Sequence, residues 1–251
     1  MKTLPVTEEK YARYARQIGI EGFGVSGQDR LRKSHVAVSR CGGVGGTVAM
    51  HLARAGVGEL TIAHGGKIET EALNRMPLVF PQHVGRASSS VHAETLELIN
   101  PDVQVNPMAT NATEESVDEI VLGADVIVDA APLFEERHLL NRAAVRLRKP
   151  LVSGAMYDNE GYVMTLIPGE TACLACINPV RPDYWDSVYV FPAIGPGPAM
   201  VGAMAAMEAI KLLTGCGEPL KNKIWFFDLA TNRTRTITTR RRPDCEVCAD
   251  L

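Results

Sequence analysis

The sequence predicts an α/β protein with a Rossmann-like, mostly parallel sheet flanked by helices, followed by a C-terminal antiparallel extension. The first observation behind this prediction is a strand, a glycine turn and a helix that follow one another between residues 35 and 58. The second is the alternation of short apolar runs with helical segments up to residue 153, which is typical of parallel βαβ units. The third is a pair of C-x-x-C motifs that ties the last residues of the chain to the middle of its second half.

Length and composition narrow the classes of function. With 251 residues, 46% hydrophobic and 22% charged, the chain is long enough for one α/β domain with a substantial core. Its net charge of −3 gives no general reason to expect nucleic acid or a membrane surface as a partner. We find no secretory signal and no apolar stretch of bilayer length, so we expect a cytoplasmic protein. The basic run at 240–242 is interpreted as a solvated strand end.

The chain is predicted to be a single domain, 1–251, with three parts. These parts are an N-terminal helical segment at 1–34, a Rossmann-like half at 35–154, and a half with Cys knuckles and antiparallel strands at 155–251. The predicted strands are 36–38, 60–63, 103–105, 124–129, 150–153, 162–167, 224–229 and 233–239. The predicted helices are 47–55, 91–99, 114–122, 134–149 and 200–213. An aromatic, proline-rich passage at 178–198 is predicted to be a loop.

The glycine turn at 41–46 is the first candidate binding site. In a strand–turn–helix unit, the helix N-terminus offers unpaired N–H groups to an anion, and glycines let a phosphate come close. The usual nucleotide fingerprint begins with a glycine, and Arg40 occupies that position here. A close-packed turn that binds nothing therefore stays open as an alternative.

The two C-x-x-C motifs are the strongest chemical signal. Cys173, Cys176, Cys245 and Cys248 supply four thiolates, which is the number that a tetrahedral structural Zn²⁺ requires. Redox motifs of this kind sit near helix N-termini, but neither motif opens an evident helix in the sequence. Disulfides belong to oxidising compartments, and no secretory signal is found. Zinc is therefore favoured over disulfides or free thiols. A closed site of four cysteines leaves no open coordination position, so the predicted role is structural.

A further pair, Glu208 and Lys211, stands three residues apart on a predicted helix and is interpreted as a surface ion pair.

Taken together, these landmarks resemble the ubiquitin-activating-type superfamily in its short prokaryotic ThiF/MoeB/HesA branch. The resemblance covers nearly the whole chain and rests on segments that match in order, at 13–18, 42–45, 55–58, 73–75, 85–86, 100–101, 139–141, 150–154, 173–176, 207–213 and 243–248. It implies a homodimer that binds ATP·Mg²⁺ at the glycine turn. It also implies adenylation of the C-terminal Gly-Gly carboxylate of a ubiquitin-like sulfur carrier.

The same resemblance marks departures at the positions that carry this chemistry. The family's ribose-binding acid falls on His64, and the metal-binding Asp falls on Pro132. The Asn of the family's Ser-Asn-Leu segment falls on Ala72, and the Lys after its Gly-Arg-Pro segment falls on Ser88. Arg16 and Arg75 remain from the polyphosphate-binding set and, with Asp129, are the candidate catalytic residues. The candidate cofactor-binding residues are Arg40, Gly42, Gly43, Gly45, His64 and Arg75.

These departures lead to a prediction about activity. Removing one electrostatic donor typically costs about 10²–10³ in rate, so the combined losses argue against ATP·Mg²⁺-dependent adenylation by this chain alone. The first hypothesis is therefore a non-catalytic, pseudoenzyme-type subunit of a sulfur-carrier or biosynthetic system. It would form a homodimer, or a heterodimer with an active paralogue whose ATP site receives Arg16. The apolar segments at 73–80 and 200–207 also favour a two-fold dimer.

Other hypotheses stay open. One is an enzyme of altered chemistry that uses the cleft for a small-molecule substrate, with Asp158 and Glu160 as further polar candidates. Another is a weak residual adenylyltransferase that acts on a ubiquitin-like carrier protein or a small carboxylate. A last one is an NAD(P)-dependent oxidoreductase, which the missing first glycine and missing ribose acid disfavour.

Overall fold

Strand β1 (His35–Ser39) is central to the sheet and has neighbours on both sides. A computed structural model describes residues 9–179 and 192–251, and most of the predicted loop at 178–198 lies outside these ranges. The other strands are β2 (Glu59–Ala63), β3 (Gln104–Met108), β4 (Val126–Asp129), β5 (Leu151–Tyr157), β6 (Glu160–Leu166), β7 (Lys223–Asp228) and β8 (Arg233–Thr238). The sheet order is β3-β2-β1-β4-β5-β6-β7-β8, parallel from β3 to β5 and antiparallel from β5 to β8. The predicted fold class, including the antiparallel C-terminal part, is confirmed.

Helices cover both faces of the sheet. They are α1 (Ala15–Ile18), α2 (Gly24–Arg32), α3 (Gly43–Ala55), α4 (Ser88–Ile99), α5 (Val117–Val121), α6 (Phe134–Leu147), α7 (Leu174–Ile177) and α8 (Pro196–Thr214). Short 3₁₀ segments occur at Glu9–Tyr14, Thr70–Asn74 and Pro81–His83. Among the described residues, none of these helices combines the length and the apolar character that crossing a bilayer requires.

Each of the five predicted helices differs from its prediction at one end or both, and three of these differences have a clear local cause. Helix α3 begins at Gly43 rather than Thr47, because the glycines of the turn already have helical hydrogen bonding. Helix α8 begins at Pro196, since proline is well tolerated in the first helical turn, where its missing N–H costs nothing. Helix α5 is shorter than predicted, because Thr113 and Ser116 bond to each other in a turn that precedes it.

Helices α3 and α8 pack closely on one face of the sheet. A Cβ at Gly202 would lie 2.5 Å from Cβ of Thr47, and one at Gly43 would lie 3.0 Å from Cβ of Pro198. These glycines therefore allow an approach that a methyl group would block. The contact places the start of α8 directly beside the glycine turn, so that α8 forms one side of the space above it.

Strand β5 extends four residues beyond the predicted end at Ser153. It continues because β6 pairs with it along its whole length, down to Tyr157 opposite Glu160. The connecting residue Asp158 has φ of +55°, in the left-handed region. This hairpin begins the antiparallel extension.

The interpretation of Glu208 and Lys211 as a surface pair is wrong. Glu208 is fully buried, and its carboxylate accepts hydrogen bonds from Thr165 Oγ1 at 2.6 Å, the backbone N–H of Leu220 at 2.7 Å and Lys211 Nζ at 2.6 Å. Helix α8 lies between the sheet and other helices, so Glu208 is in the interior although an i, i+3 pair is typical of an exposed helix face. Through Thr165, its carboxylate links α8 to β6.

Candidate functional site

A cavity of about 800 Å³ opens at the carboxyl ends of the parallel strands. Residues that follow β1, β2 and β4 line it, namely Arg40, His64 and Ala130. It lies where the strand order reverses, since β1 has β2 on one side and β4 on the other. Ligands of open α/β sheets bind at such a switch point. The other described lining residues are Gly42, Gly43, Val44, Glu71, Asn74, Arg75, Met76, Ala131, Pro132, Arg137, Gly154, Ala155, Met156, Pro192, Ala193 and Pro198.

The glycine turn shapes one side of this cavity. Gly42 and Gly43 line the cavity at the N-terminus of α3, as expected of residues that let a ligand approach the backbone. Gly45 does not line it. A Cβ at Gly45 would lie 2.5 Å from the carbonyl oxygen of Arg40, so this glycine allows the turn to close on itself.

Arg40 takes the backbone conformation that a glycine would take at the start of this turn. Its φ is +56°, in the left-handed region. Its guanidinium forms a two-pronged ion pair with Glu136 in the first turn of α6, with Nε 2.8 Å from Oε2 and Nη2 2.6 Å from Oε1. The side chains are 20% and 7% exposed, so the pair is largely shielded from water.

Arg75 lines the same cavity, directly after the 3₁₀ segment Thr70–Asn74. Its Nη1 donates to the carbonyl oxygen of Glu71 at 2.7 Å and to Oδ1 of Asn74 at 2.9 Å. Arg16, in contrast, is exposed on α1 and is not among the residues that line its own cavity. The two arginines of the candidate catalytic set are therefore not brought together within one described chain.

Asp129, the third candidate catalytic residue, does not face the cavity. It is fully buried, and its carboxylate accepts hydrogen bonds from Ser153 Oγ at 2.7 Å and from the backbone N–H of Ala131 at 3.0 Å. Arg137 Nη1 lies 3.8 Å from it. These hydrogen bonds hold β4 to β5 and shape the turn after β4.

Arg137 was missed by the sequence analysis. This buried arginine lines the cavity floor, and it donates from Nε to the carbonyl of Ala131 at 2.7 Å and from Nη2 to the carbonyl of Gly154 at 2.9 Å. Nη1 donates to Tyr162 Oη at 2.8 Å. Burial disfavours the charged guanidinium, but the neighbouring Asp129 and Tyr162 outweigh this and raise the pKa of Arg137. The position of Arg137 in the helix after β4 was the available signal, because that helix begins at the carboxyl edge of the sheet.

His64 and His92 form a pair of rings at one end of the cavity. Their centroids are 5.2 Å apart, and His64 lines the cavity while His92 is fully buried behind it. Nδ1 of His64 and both ring nitrogens of His92 are buried, and none of these atoms has a hydrogen-bond partner among the described residues. Burial, followed by the positive charge of Arg40, lowers the pKa of His64 to about 4. Burial, followed by the neighbouring His64 and His83, lowers the pKa of His92 to about 3.

The four cysteines of the knuckles form one buried cluster. Their sulfur atoms all lie within 4.8 Å of one another. The Sγ–Sγ distances are 3.9 Å from Cys173 to Cys176, 3.6 Å from Cys173 to Cys245, and 3.5 Å from Cys176 to Cys248. A regular tetrahedron with Zn–S bonds of about 2.3 Å has S–S edges of about 3.8 Å, so the cluster fits one tetrahedral ion. The distances are far too long for disulfide bonds, and all four cysteines are free.

Two residues of the basic run at 240–242, Arg241 and Arg242, contact this cluster, which corrects their interpretation as part of a solvated strand end, whereas Arg240 is exposed. Arg241 donates from Nη2 to the carbonyl oxygens of Cys248, Ala249 and Leu251. The backbone N–H of Arg242 donates to Cys176 Sγ at 3.3 Å. Both arginines thus support the knuckle.

The thiols of the cluster differ in pKa. Burial raises the pKa of the Cys173 thiol. At Cys245 the N–H groups of Val247 and Cys248 outweigh burial and lower the pKa to about 7.

The sequence profile of the ThiF family matches residues 14–247. The chain belongs to the ThiF family. It is 40% identical to the heterocyst protein HesA of Trichormus variabilis over 247 residues, covering 98% of this chain and 91% of that protein. It is 36% identical to the sulfur carrier protein adenylyltransferase of Thermus thermophilus, covering 97% of this chain and 93% of that protein.

Solved structures agree with this assignment. The crystal structure of E. coli MccB with ATP superimposes with a TM-score of 0.86 at 25% identity, covering 97% of this chain and 75% of that one. The predicted resemblance to the ThiF/MoeB/HesA branch is therefore confirmed. In this ThiF-family chain, Pro132 lines the cavity, whereas Ala72 and Ser88 are buried and are not among its described lining residues.

Proposed function

We propose that this ThiF-family chain is a partner-dependent subunit of a sulfur-carrier or biosynthetic system and does not catalyse metal-dependent adenylation by itself. Support for the system comes from its relatives, one of which is a sulfur carrier protein adenylyltransferase. Support for the nucleotide cleft comes from MccB, whose structure with ATP has the same fold. The cavity at the switch point is large enough for a nucleotide.

The proposal rests mainly on which carboxylates the cleft offers to a metal ion. Mg²⁺ at nucleotide sites is held by one or two carboxylates together with substrate phosphates. Pro132 lines the cleft where the family pattern implies a metal-binding Asp, and a proline side chain offers no donor atom. Asp129 nearby is already bonded to Ser153 and Ala131. Among the described lining residues, Glu71 alone carries a carboxylate, so the residues present do not fit the family's metal site.

The proposal includes a dimer. Arg16 is exposed, and the family resemblance implies that this arginine reaches into the ATP site of a partner subunit. Large exposed apolar side chains occur in both apolar segments, at Phe80, which is 47% exposed, and Met207, which is 41% exposed. A homodimer, or a heterodimer with an active paralogue, would cover such residues.

The proposal also assigns a structural Zn²⁺ to the cysteine cluster. Cys173, Cys176, Cys245 and Cys248 would hold it, and the ion would supply a cross-link between the end of the chain and α7. Four sulfur ligands leave no position for water or substrate, so no chemical step is attributed to this site.

The proposal is tested by ATP–pyrophosphate exchange with candidate ubiquitin-like carrier proteins. We expect no exchange from the purified chain and a signal when an active paralogue is added. Arg16→Ala should reduce that signal by about 10²–10³, as expected for loss of a cation on developing charge. Arg32→Ala, at another exposed arginine of the N-terminal segment, is the matched control and should leave it unchanged.

The opposite outcome is equally clear. Robust exchange by the chain alone, abolished by Arg75→Ala, would overturn the proposal in favour of an autonomous adenylyltransferase. Silence both alone and with paralogues would instead favour altered chemistry in the cleft, where Nδ1 of His64, which has no hydrogen-bond partner among the described residues, is one candidate polar group.

A further inference from the structure

The cleft contains a positive group at the end where the family pattern implies a metal ion. Pro132 and Arg40 both line it, and Glu136, the partner of Arg40, lies in the helical turn that follows Pro132. Glu136 occupies Nε and Nη2 of Arg40. Within the described part of the chain, Nη1 of Arg40 makes no hydrogen bond. The guanidinium is thus held in one position while some of its donors stay available.

Arg75 provides a second, independent set of donors in the same cavity. Its Nη1 is used by Glu71 and Asn74, whereas its Nε and Nη2 have no hydrogen-bond partner among residues 9–179 and 192–251. Arg137, the third arginine of the cavity, uses Nε, Nη1 and Nη2 to bond Ala131, Tyr162 and Gly154. Two guanidiniums with available N–H groups therefore line one space. This arrangement attracts an anion and repels a divalent cation.

The ion pair prepares Arg40 for this role. A guanidinium keeps its charge at every pH at which a protein folds, and a bidentate carboxylate fixes both its position and its plane. The side-chain freedom of Arg40 is already lost before any ligand arrives, which lowers the entropic cost of binding. The left-handed backbone at Arg40, with φ of +56°, directs this side chain from the glycine turn towards α6.

We propose that Arg40 takes the place of the divalent cation, so that the cleft binds the polyphosphate of a nucleotide in its metal-free form. This inference rests on the proposed function only in taking the cavity to be the nucleotide cleft. Glu136 is a positioning residue, since it acts through Arg40. Free pyrophosphate has the same charged chemistry as the nucleotide polyphosphate, so the experiment includes both.

The variant to test is the double substitution Arg40→Gly with Glu136→Gln. Glycine adopts a positive φ without strain, so the turn is retained, and glutamine avoids leaving an unpaired buried carboxylate. Arg142→Ala is the matched control, because Arg142 lies on the same helix in an exposed ion pair with Glu114. Circular dichroism and Tm establish that both variants fold.

Binding is measured by isothermal titration calorimetry with ATP and with inorganic pyrophosphate, each in EDTA and in excess Mg²⁺. We expect ATP to bind in EDTA at least as tightly as in Mg²⁺. The double variant should weaken binding in EDTA at least tenfold, and Arg142→Ala should leave it unchanged. Pyrophosphate that binds as tightly as ATP would place the recognition on the polyphosphate alone, and weaker binding of pyrophosphate would add a contribution from the nucleoside; both results support the inference.

Three results would overturn the inference: binding that requires Mg²⁺, equal binding by the double variant, or no binding of either ligand. Its failure is distinguishable from failure of the proposed function. Mg²⁺-dependent binding, together with no ATP–pyrophosphate exchange by the chain alone, would contradict only this inference. Binding of ATP in EDTA, together with robust ATP–pyrophosphate exchange by the chain alone, would contradict only the partner-dependent function.

Discussion

Asn100 donates hydrogen bonds from its side-chain Nδ2 to Tyr14 Oη at 2.9 Å and to the carbonyl oxygen of Ala53 at 2.7 Å. All three groups are buried, and the Tyr14 ring lies against Gly56, where a Cβ would approach it to 2.5 Å. One amide thus joins the N-terminal segment, the end of α3 and the turn after α4. Because the glycine turn is at the other end of α3, this contact fixes the helix that carries one side of the cleft.

Asn100→Ala should therefore destabilise the whole domain. It removes two buried hydrogen bonds and leaves the carbonyl of Ala53 and the hydroxyl of Tyr14 without this partner, at a cost of roughly 2–4 kcal/mol. Urea unfolding followed by circular dichroism measures the change. Gln104→Ala, at an exposed position on β3, is the control and should stay within about 0.5 kcal/mol of the parent. Equal stability of the two variants would contradict this role of Asn100.

The cysteine cluster gives a second prediction. Cys245→Ser should release the metal and lower Tm by roughly 5–10 °C, because the free energy of metal binding contributes to folding. Metal content by mass spectrometry of the purified chain should be one zinc per chain before the substitution. Cys216→Ser is the control, since Cys216 lies outside the cluster. A parent protein that contains no metal and has the same Tm as Cys245→Ser would refute the zinc assignment.

The histidine pair gives a prediction about pH. The pKa values of His64 and His92 in the folded state, about 4 and about 3, lie below the ordinary histidine value near 6.5. Between these limits the unfolded chain binds more protons, so stability is fully present above about pH 6.5 and is lost as the pH falls. Each histidine should remove roughly 2 kcal/mol by pH 5.

Chemical denaturation from pH 7.5 to 4.5 measures this dependence. His92→Leu removes one titrating group and should flatten the curve by about half, whereas His51→Gln, at an exposed position on α3, should change its slope far less. Parallel curves for the parent and His92→Leu would show that the fall in stability comes from other groups.

Local patterns predicted the framework of this protein well. The alternation of apolar runs with helical segments depends on neighbouring residues alone, so it indicated the βαβ units and the antiparallel end. The spacing of the four cysteines likewise predicted a cluster, and the structure confirms it. Strand β5 was predicted too short, because its last four residues are extended through pairing with β6 rather than through their own sequence.

Residues whose environment depends on distant parts of the chain were not predictable in this way. Asp129 was expected in the cleft, yet Ser153 on the neighbouring strand binds its carboxylate away from it. Glu208 was expected at the surface, and only the packing of α8 shows that it is buried. Glu136 was overlooked, because its role depends on the left-handed backbone of Arg40, which no pattern around a non-glycine residue indicates.

The distance in sequence between the two Cys knuckles has a consequence for synthesis on the ribosome. Cys173 and Cys245 are 72 positions apart, and the parallel strands end with β5 before either knuckle is made. At about 5–20 residues per second, Cys173 waits roughly 4 to 14 s for its partner. During that time Cys173 and Cys176 lack their partner knuckle, and until residue 228 is made β6 also has an edge without β7. The growing chain is thus exposed to oxidation of these thiols until the second knuckle is made, and to aberrant strand pairing at β6 until β7 is made.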